Sequence, residues 1–122
     1  MRFMSIVTSP ASASHAQPTP GLMEAMGRLA EREIKAGRMI DNGGLAPLDQ
    51  GARVVIRRNT LSVLDGPFAE AREIIGGYAI FELDSMEEAV AMAREFMQIH
   101  LDHMPGWEGT CEVRELVGSA GS

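Results

Sequence analysis

Apolar periodicity along this chain predicts an α+β domain of the split β-α-β kind. Three observations carry the prediction. Two amphipathic helical patterns each sit between β-rich runs, and a hairpin signal separates the two halves. The run Tyr78 to Leu83 is apolar on both of its alternating faces, as a strand inside a layered fold is. With 122 residues the chain has room for one core and not two.

Taken in order, Phe3 to Val7 reads as a first strand. A polar loop of small residues follows, from Ser9-Pro10 through His15 to Thr19. Thr19-Pro20 is a helix start, a capping hydroxyl followed by proline at the first helical position. Leu22, Met26, Leu29, Ala30 and Ile34 then recur at helical spacing, and Gly37 closes the helix. Arg38 to Asn42 is the second strand, ended by Gly43-Gly44. Arg53 to Arg57 and Leu61 to Leu64 are two β-rich runs joined by the turn Arg58-Asn59-Thr60. Asp65 to Gly77 reads as a loop that opens on the tight turn Asp65-Gly66-Pro67, and Tyr78 to Leu83 as the strongest strand. Ser85-Met86-Glu87-Glu88 has capping-box spacing and opens a second helix with Met86, Ala89, Val90, Ala93, Phe96 and Met97 on one side. Pro105-Gly106 ends that helix, and Thr110 to Leu116 is the last strand. Residues 1–117 form one domain in this reading, and residues 118–122 a flexible C-terminal tail.

The order β-α-β, hairpin, β-α-β makes a ferredoxin-like sheet with both helices on one face, since right-handed crossovers leave few alternatives. The other face then needs a cover. A second copy of the chain is the economical one, so a homodimer is expected, with a pocket between sheet and loops. The hairpin folding over part of that face is the alternative.

Composition narrows the partners. A net charge of −6 with scattered basic residues disfavours nucleic acid and anionic membrane surfaces. No apolar run approaches the roughly 20 residues of a membrane span. Ala11-Ser12-Ala13 resembles a signal-peptidase site, but the apolar stretch before it is too short for a secretory leader, so a cytoplasmic protein is expected. The single cysteine, Cys111, excludes an internal disulfide and a multi-thiolate metal centre, and its alternating context reads as a small core residue. Phosphate loops, nucleophile elbows and Cys–His pairs are missing, so no cofactor is expected.

Asp65-Gly66-Pro67-Phe68-Ala69-Glu70, followed after six residues by Gly77-Tyr78, resembles the signature of the YCII-related family, DGPF subgroup. Gly37-Arg38, Gly44-Leu45-Ala46-Pro47 and Pro105-Gly106-Trp107-Glu108-Gly109 before Glu112-Val113-Arg114 agree with it, so the resemblance runs from Phe3 to Leu116. It implies a dimeric α/β-barrel of ferredoxin-like units with a pocket near the Asp-Gly-Pro-Phe turn. Family members are mostly uncharacterised bacterial proteins, and some of their genes lie beside or are fused to sigma factors. The few enzymes among them use a His–Asp pair whose histidine lies early in the first helix. Here that stretch, Gly21 to Met26, holds no histidine, and His15 lies upstream in the loop.

Each candidate site residue has a functional reading and a plainer one. Asp65 can act as a general base or anchor a polar ligand, or it accepts backbone N–H bonds within its turn. Phe68 plugs the loop onto the core or faces a ligand. Glu70 is the best second carboxylate beside Asp65, and with Arg72 and Glu73 it also reads as a solvated run. Tyr78 begins a strand on the less covered face and points into a pocket or packs an interface. His100 continues the apolar stripe of the second helix, as a buried satisfied imidazole or as an acid/base group at a pocket rim. His100 and His103 lack a third ligand of clear spacing, so no metal site is assigned. Trp107 caps its loop or stacks on a ligand. The pocket set is therefore Asp65, Phe68, Glu70, Tyr78, His100 and Trp107, with Asp65 and His100 as acid and base if the protein is catalytic. Two functions follow: a small-molecule-binding or regulatory accessory protein, or an isomerase- or lyase-type enzyme acting on a small cyclic or aromatic substrate.

Overall fold

The computed structural model describes residues 1–13, 17–68 and 71–118, so His15, Glu70 and the tail 119–122 lie outside the described residues. Six strands and two helices follow in the order β1 (Arg2–Pro10), α1 (Pro20–Lys35), β2 (Met39–Gly44), β3 (Ala52–Arg57), β4 (Thr60–Asp65), β5 (Glu73–Glu82), α2 (Met86–His103) and β6 (Thr110–Glu115). Four of the strands form one antiparallel sheet in the order β2-β5-β1-β6, while β3 and β4 pair only with each other. This order, with α1 and α2 in the two crossovers, is compatible with a ferredoxin-like fold. No helix among the described residues is long and apolar enough to cross a membrane.

The helix ends form where sequence chemistry places them. Thr19 Oγ1 accepts from the Leu22 N–H at 3.1 Å, and Pro20 opens α1. Gly37, at φ +76°, takes the left-handed conformation just past the cap, where an L side chain would be strained. Ser85 caps α2 by accepting from the Glu88 N–H, but the Glu88 carboxylate reaches one residue further back than a capping box requires, to the Asp84 N–H at 2.8 Å.

Two strands are longer than expected. β1 continues through Ser9-Pro10, and β5 begins at Glu73 rather than Tyr78. Gly76-Gly77, which reads as a breaker, lies inside β5. Val7 pairs with Gly77 and Thr8 with Ile75, so Gly76 is the extra residue of a bulge. A Cβ on Gly77 would stand 2.9 Å from the Gly43 carbonyl oxygen of β2. The glycine pair therefore serves close strand approach and not a turn.

Phe3, Phe81, Leu83 and Ala89 form the buried cluster, with Met39, Ala79, Met92 and Val113 packed around it. Phe3 lies opposite Phe81, and Ser5 lies between Ala79 and Val113, so this is the helix-covered face of the sheet. The opposite face carries Met4 paired with Ile80 and Ile6 paired with Tyr78, on which no helix lies. The hairpin turns one apolar face outward: Val54, Ile56, Leu61 and Val63 share it and remain 65–74% exposed.

In α1 the buried stripe is Leu22, Ala25, Leu29 and Glu33, one position off the expected Leu22-Met26-Leu29-Ala30-Ile34 set, and Ile34 is exposed. A carboxylate thus occupies the last core position with no exposed surface. It is fully partnered. Arg38 donates to both oxygens, at 2.6 and 2.7 Å, and Arg32 donates to one at 2.9 Å. Arg32 in turn pairs with Glu95 of α2 at 2.7 Å. The Arg38 contacts, and after them those of Arg32, hold the Glu33 carboxyl down at about 2 although burial acts the other way.

A carboxyl depressed in the folded state stabilises the fold above its ordinary value, and that stability is lost as pH falls toward the folded value. Glu33→Gln is therefore expected to lower unfolding stability at neutral pH by about 2 kcal/mol, as loss of charge-assisted hydrogen bonds does. Denaturant titrations of the two proteins should converge as pH falls from 4.5 toward 2. An unchanged difference across that window would show that Glu33 contributes through packing and not through its charge.

Candidate functional site

The residues expected to form a site fall into separate places. At the end of α2, His100 is buried, with its ring 4.7 Å from Phe96 on one side and 4.7 Å from Trp107 on the other. Its Nδ1 lies 3.0 Å from the Phe96 carbonyl oxygen. A carbonyl only accepts, so Nδ1 carries the proton in this contact. The Trp107 ring in turn lies over Gly109, where an added Cβ would come within 2.2 Å of the indole. The Pro-Gly-Trp-Glu-Gly turn thus folds its tryptophan back as a lid on His100.

The same end of α2 is locked to the start of α1. Thr19 Oγ1 donates to the His103 carbonyl oxygen at 2.8 Å while accepting from Leu22. The His103 ring lies against Gly21, where an added Cβ would stand 2.9 Å from Nδ1. An imidazole therefore does reach the first turn of α1, supplied by the other helix.

Asp65 is in a different part of the molecule, the end of β4, exposed and paired in the ladder with Ala52. Gly66, next to it, donates to the Gly51 carbonyl, which closes the base of the hairpin. Phe68 is 9% exposed, and the Arg53 guanidinium lies 4.1 Å from its ring centroid, the packing role of its two readings. Tyr78 stands on the uncovered sheet face, lies across Gly43 and donates to Asp41 at 3.2 Å. That hydrogen bond to a carboxylate raises the phenol above its usual range. Thus His100 and Trp107 come together, Asp65 and Phe68 are near neighbours in the chain, and Tyr78 stands with neither pair. No histidine–carboxylate hydrogen bond joins any of the described residues, and no group of three metal-ligating side chains occurs among them.

Two cavities have different linings. One, about 180 Å³, is bounded by Thr8, Ser9, Pro10, Glu73, Glu108, Gly109 and Thr110. The larger, about 430 Å³, lies between α2 and the edge strand β6. Met86, Val90, Ala93, Arg94 and Met97 form its helix wall, and Cys111 and Val113 its floor. None of Asp65, Phe68, Tyr78, His100 or Trp107 lines either cavity. Burial and a hydrogen bond with Ser5 surround the Cys111 thiol, and burial pushes it up. It is a wall residue protonated at neutral pH, which reacts only as alkali forms the thiolate. Sequence reasoning placed Met86, Val90 and Met97 in the core and passed over Arg94. The signal was present: α2 buries the small Ala89 and Ala93, so the larger Met86 and Val90 beside them cannot also reach the sheet.

The chain has one tryptophan, so its emission reports the His100 contact alone. Gly109→Ala should displace the indole, red-shift its fluorescence and cost about 1–3 kcal/mol of stability through overpacking. An unshifted emission maximum in that variant would show that Trp107 does not pack over Gly109.

An uncharacterized protein of Rhizobium meliloti (strain 1021) is 27% identical over 95 residues, which is 78% of this chain and 73% of that protein. The YCII-related domain matches residues 1–103, which takes in every element from β1 to α2. This chain therefore belongs to the YCII-related family.

Proposed function

We propose that the protein is a non-catalytic small-molecule-binding accessory protein that works as a homodimer. The observation that supports this reading most is the separation of its two candidate acid/base groups. Asp65 closes the hairpin, while His100 lies between Phe96 and Trp107 with its proton directed at a backbone carbonyl. Acid/base chemistry needs both groups within hydrogen-bond reach of one substrate. The isomerase or lyase alternative draws no support from that placement. The regulatory form of the reading, an accessory to a sigma-factor system in the cytoplasm, draws on the family resemblance.

The dimer is supported by apolar surface that no helix covers. Met4, Ile6, Tyr78 and Ile80 stand together on the face opposite the helices. The hairpin adds Val54, Ile56, Leu61 and Val63. A two-stranded hairpin is marginal by itself, so an apolar face on one calls for a partner.

Two measurements test this reading. Light scattering across a concentration series should give the mass of two chains, and Ile6→Glu should give one chain with its circular dichroism unchanged. A monomeric mass for the unaltered protein at every concentration would end the dimer. In a thermal-shift screen of small carboxylates, phenols and lactones, a binder should raise the melting temperature by several degrees. That binder should be recovered chemically unchanged after long incubation, and its conversion would restore the enzyme reading.

A further inference from the structure

The cleft between α2 and β6 has a composition that selects a ligand. Its helix wall is a single stripe, Met86, Val90, Ala93 and Met97, and its floor is Cys111 and Val113. Met86 and Val90 are each 44% exposed, apolar surface that the fold spends on nothing else. From Met86 to Met97 the stripe runs about 16 Å at the helical rise, so the two thioethers cannot hold one metal ion together. The volume, about 430 Å³, lies in the range of small-ligand sites.

One charge stands in this apolar wall. Arg94 is exposed and lines the cleft. Arg2, Arg28, Arg32, Lys35, Arg38 and Arg114 each pair with a carboxylate, whereas Arg57, Arg58, Arg72 and Arg94 form no ion pair with any described residue, and of these four Arg94 alone lines the cleft. In a chain of net charge −6, carboxylates are in excess, so a guanidinium left unpaired beside an apolar cleft is open to an outside anion. A single guanidinium suits a single carboxylate head, and the flexible methionines suit a body of variable shape.

We propose that this cleft binds an amphipathic monocarboxylate, with its aliphatic or aromatic body along Met86, Val90, Met97 and Val113 and its head on Arg94. The proposal rests on the binding reading above and gives it a place and a ligand class.

The single cysteine makes occupancy measurable. Labelling of Cys111 by N-ethylmaleimide under mildly alkaline conditions, read by intact mass, follows access to the cleft floor. Sodium decanoate below its micelle-forming concentration should slow labelling saturably, about fivefold at four times its dissociation constant by mass action. Decanol, with the same tail and no charge, should protect far less. Arg94→Met should raise the decanoate concentration for half protection about tenfold, the worth of one charge-assisted contact. Val90→Trp, which fills the cleft, should slow labelling without ligand and remove the decanoate effect. The methyl NMR signals of Val90 and Val113 give a second reading of the same titration. Protection that survives Arg94→Met, or equal protection by decanol, overturns the anion assignment. Labelling and methyl signals that ignore decanoate overturn the site. A phenol or lactone that raises the melting temperature without protecting Cys111 also overturns the site, while leaving the binding reading intact.

Discussion

The Glu33 carboxylate joins three elements, α1, the entry to β2 and, through Arg32, α2. It sits in the last turn of α1, takes both oxygens' contacts from Arg38 on the way into β2, and through Arg32 is linked to Glu95 on α2. A buried carboxylate is costly unless every lone pair is engaged. Here the engagement requires that the chain reverse at Gly37 within a few residues of the helix end. At the opposite end Thr19 performs the same office with neutral groups, accepting from Leu22 and donating to the His103 carbonyl. α1 is therefore tied to α2 near both of its own ends. Their pairing leaves the outer side of α2 facing the edge strand β6 with small alanines inward and larger side chains out. The cleft follows from that geometry.

What could be read from the chain beforehand depended on the range of the physics involved. Thr19-Pro20, Gly37 and Ser85 act on the backbone within a few residues of themselves, and the helix termini fall where those residues place them. The sheet order followed from connection handedness, which is also nearly independent of detail. The apolar stripes were less legible. An apolar count chose Ile34 over Glu33 because the partners of the carboxylate come from beyond the helix. A glycine pair was read as a break because nothing in sequence shows that Gly43 of a distant strand must approach Gly77. The site suffered most. Asp65, Phe68, Tyr78, His100 and Trp107 were each chosen on local grounds, and only His100 with Trp107 came together, while the cleft is made of residues unremarkable one by one.

The uncovered apolar surface has two different characters. The Met4, Ile6, Tyr78 and Ile80 patch is flat, central to the sheet and bordered by the Tyr78–Asp41 contact on one side and the Glu112–Arg114 pair on the other. Such a patch, apolar within and polar at its rim, fits a flat protein surface. The α2–β6 cleft is concave and holds one unpaired charge, which fits a small molecule. Assigning the first to a second copy and the second to a ligand gives each surface the partner its shape admits. The two lie on opposite sides of the sheet, so neither occupancy obstructs the other.

The surroundings of His100 give this histidine a packing role. A histidine that takes up a proton is helped by a carboxylate on its other nitrogen, which stabilises the imidazolium. In this chain that nitrogen faces the Phe96 carbonyl, which orients the ring but offers a neutral dipole, and aromatic rings pack on both sides of the imidazole. The arrangement fixes an imidazole that joins α2 to the Trp107 turn. His100 thus holds the turn whose Gly109 and Thr110 line the end of the cleft.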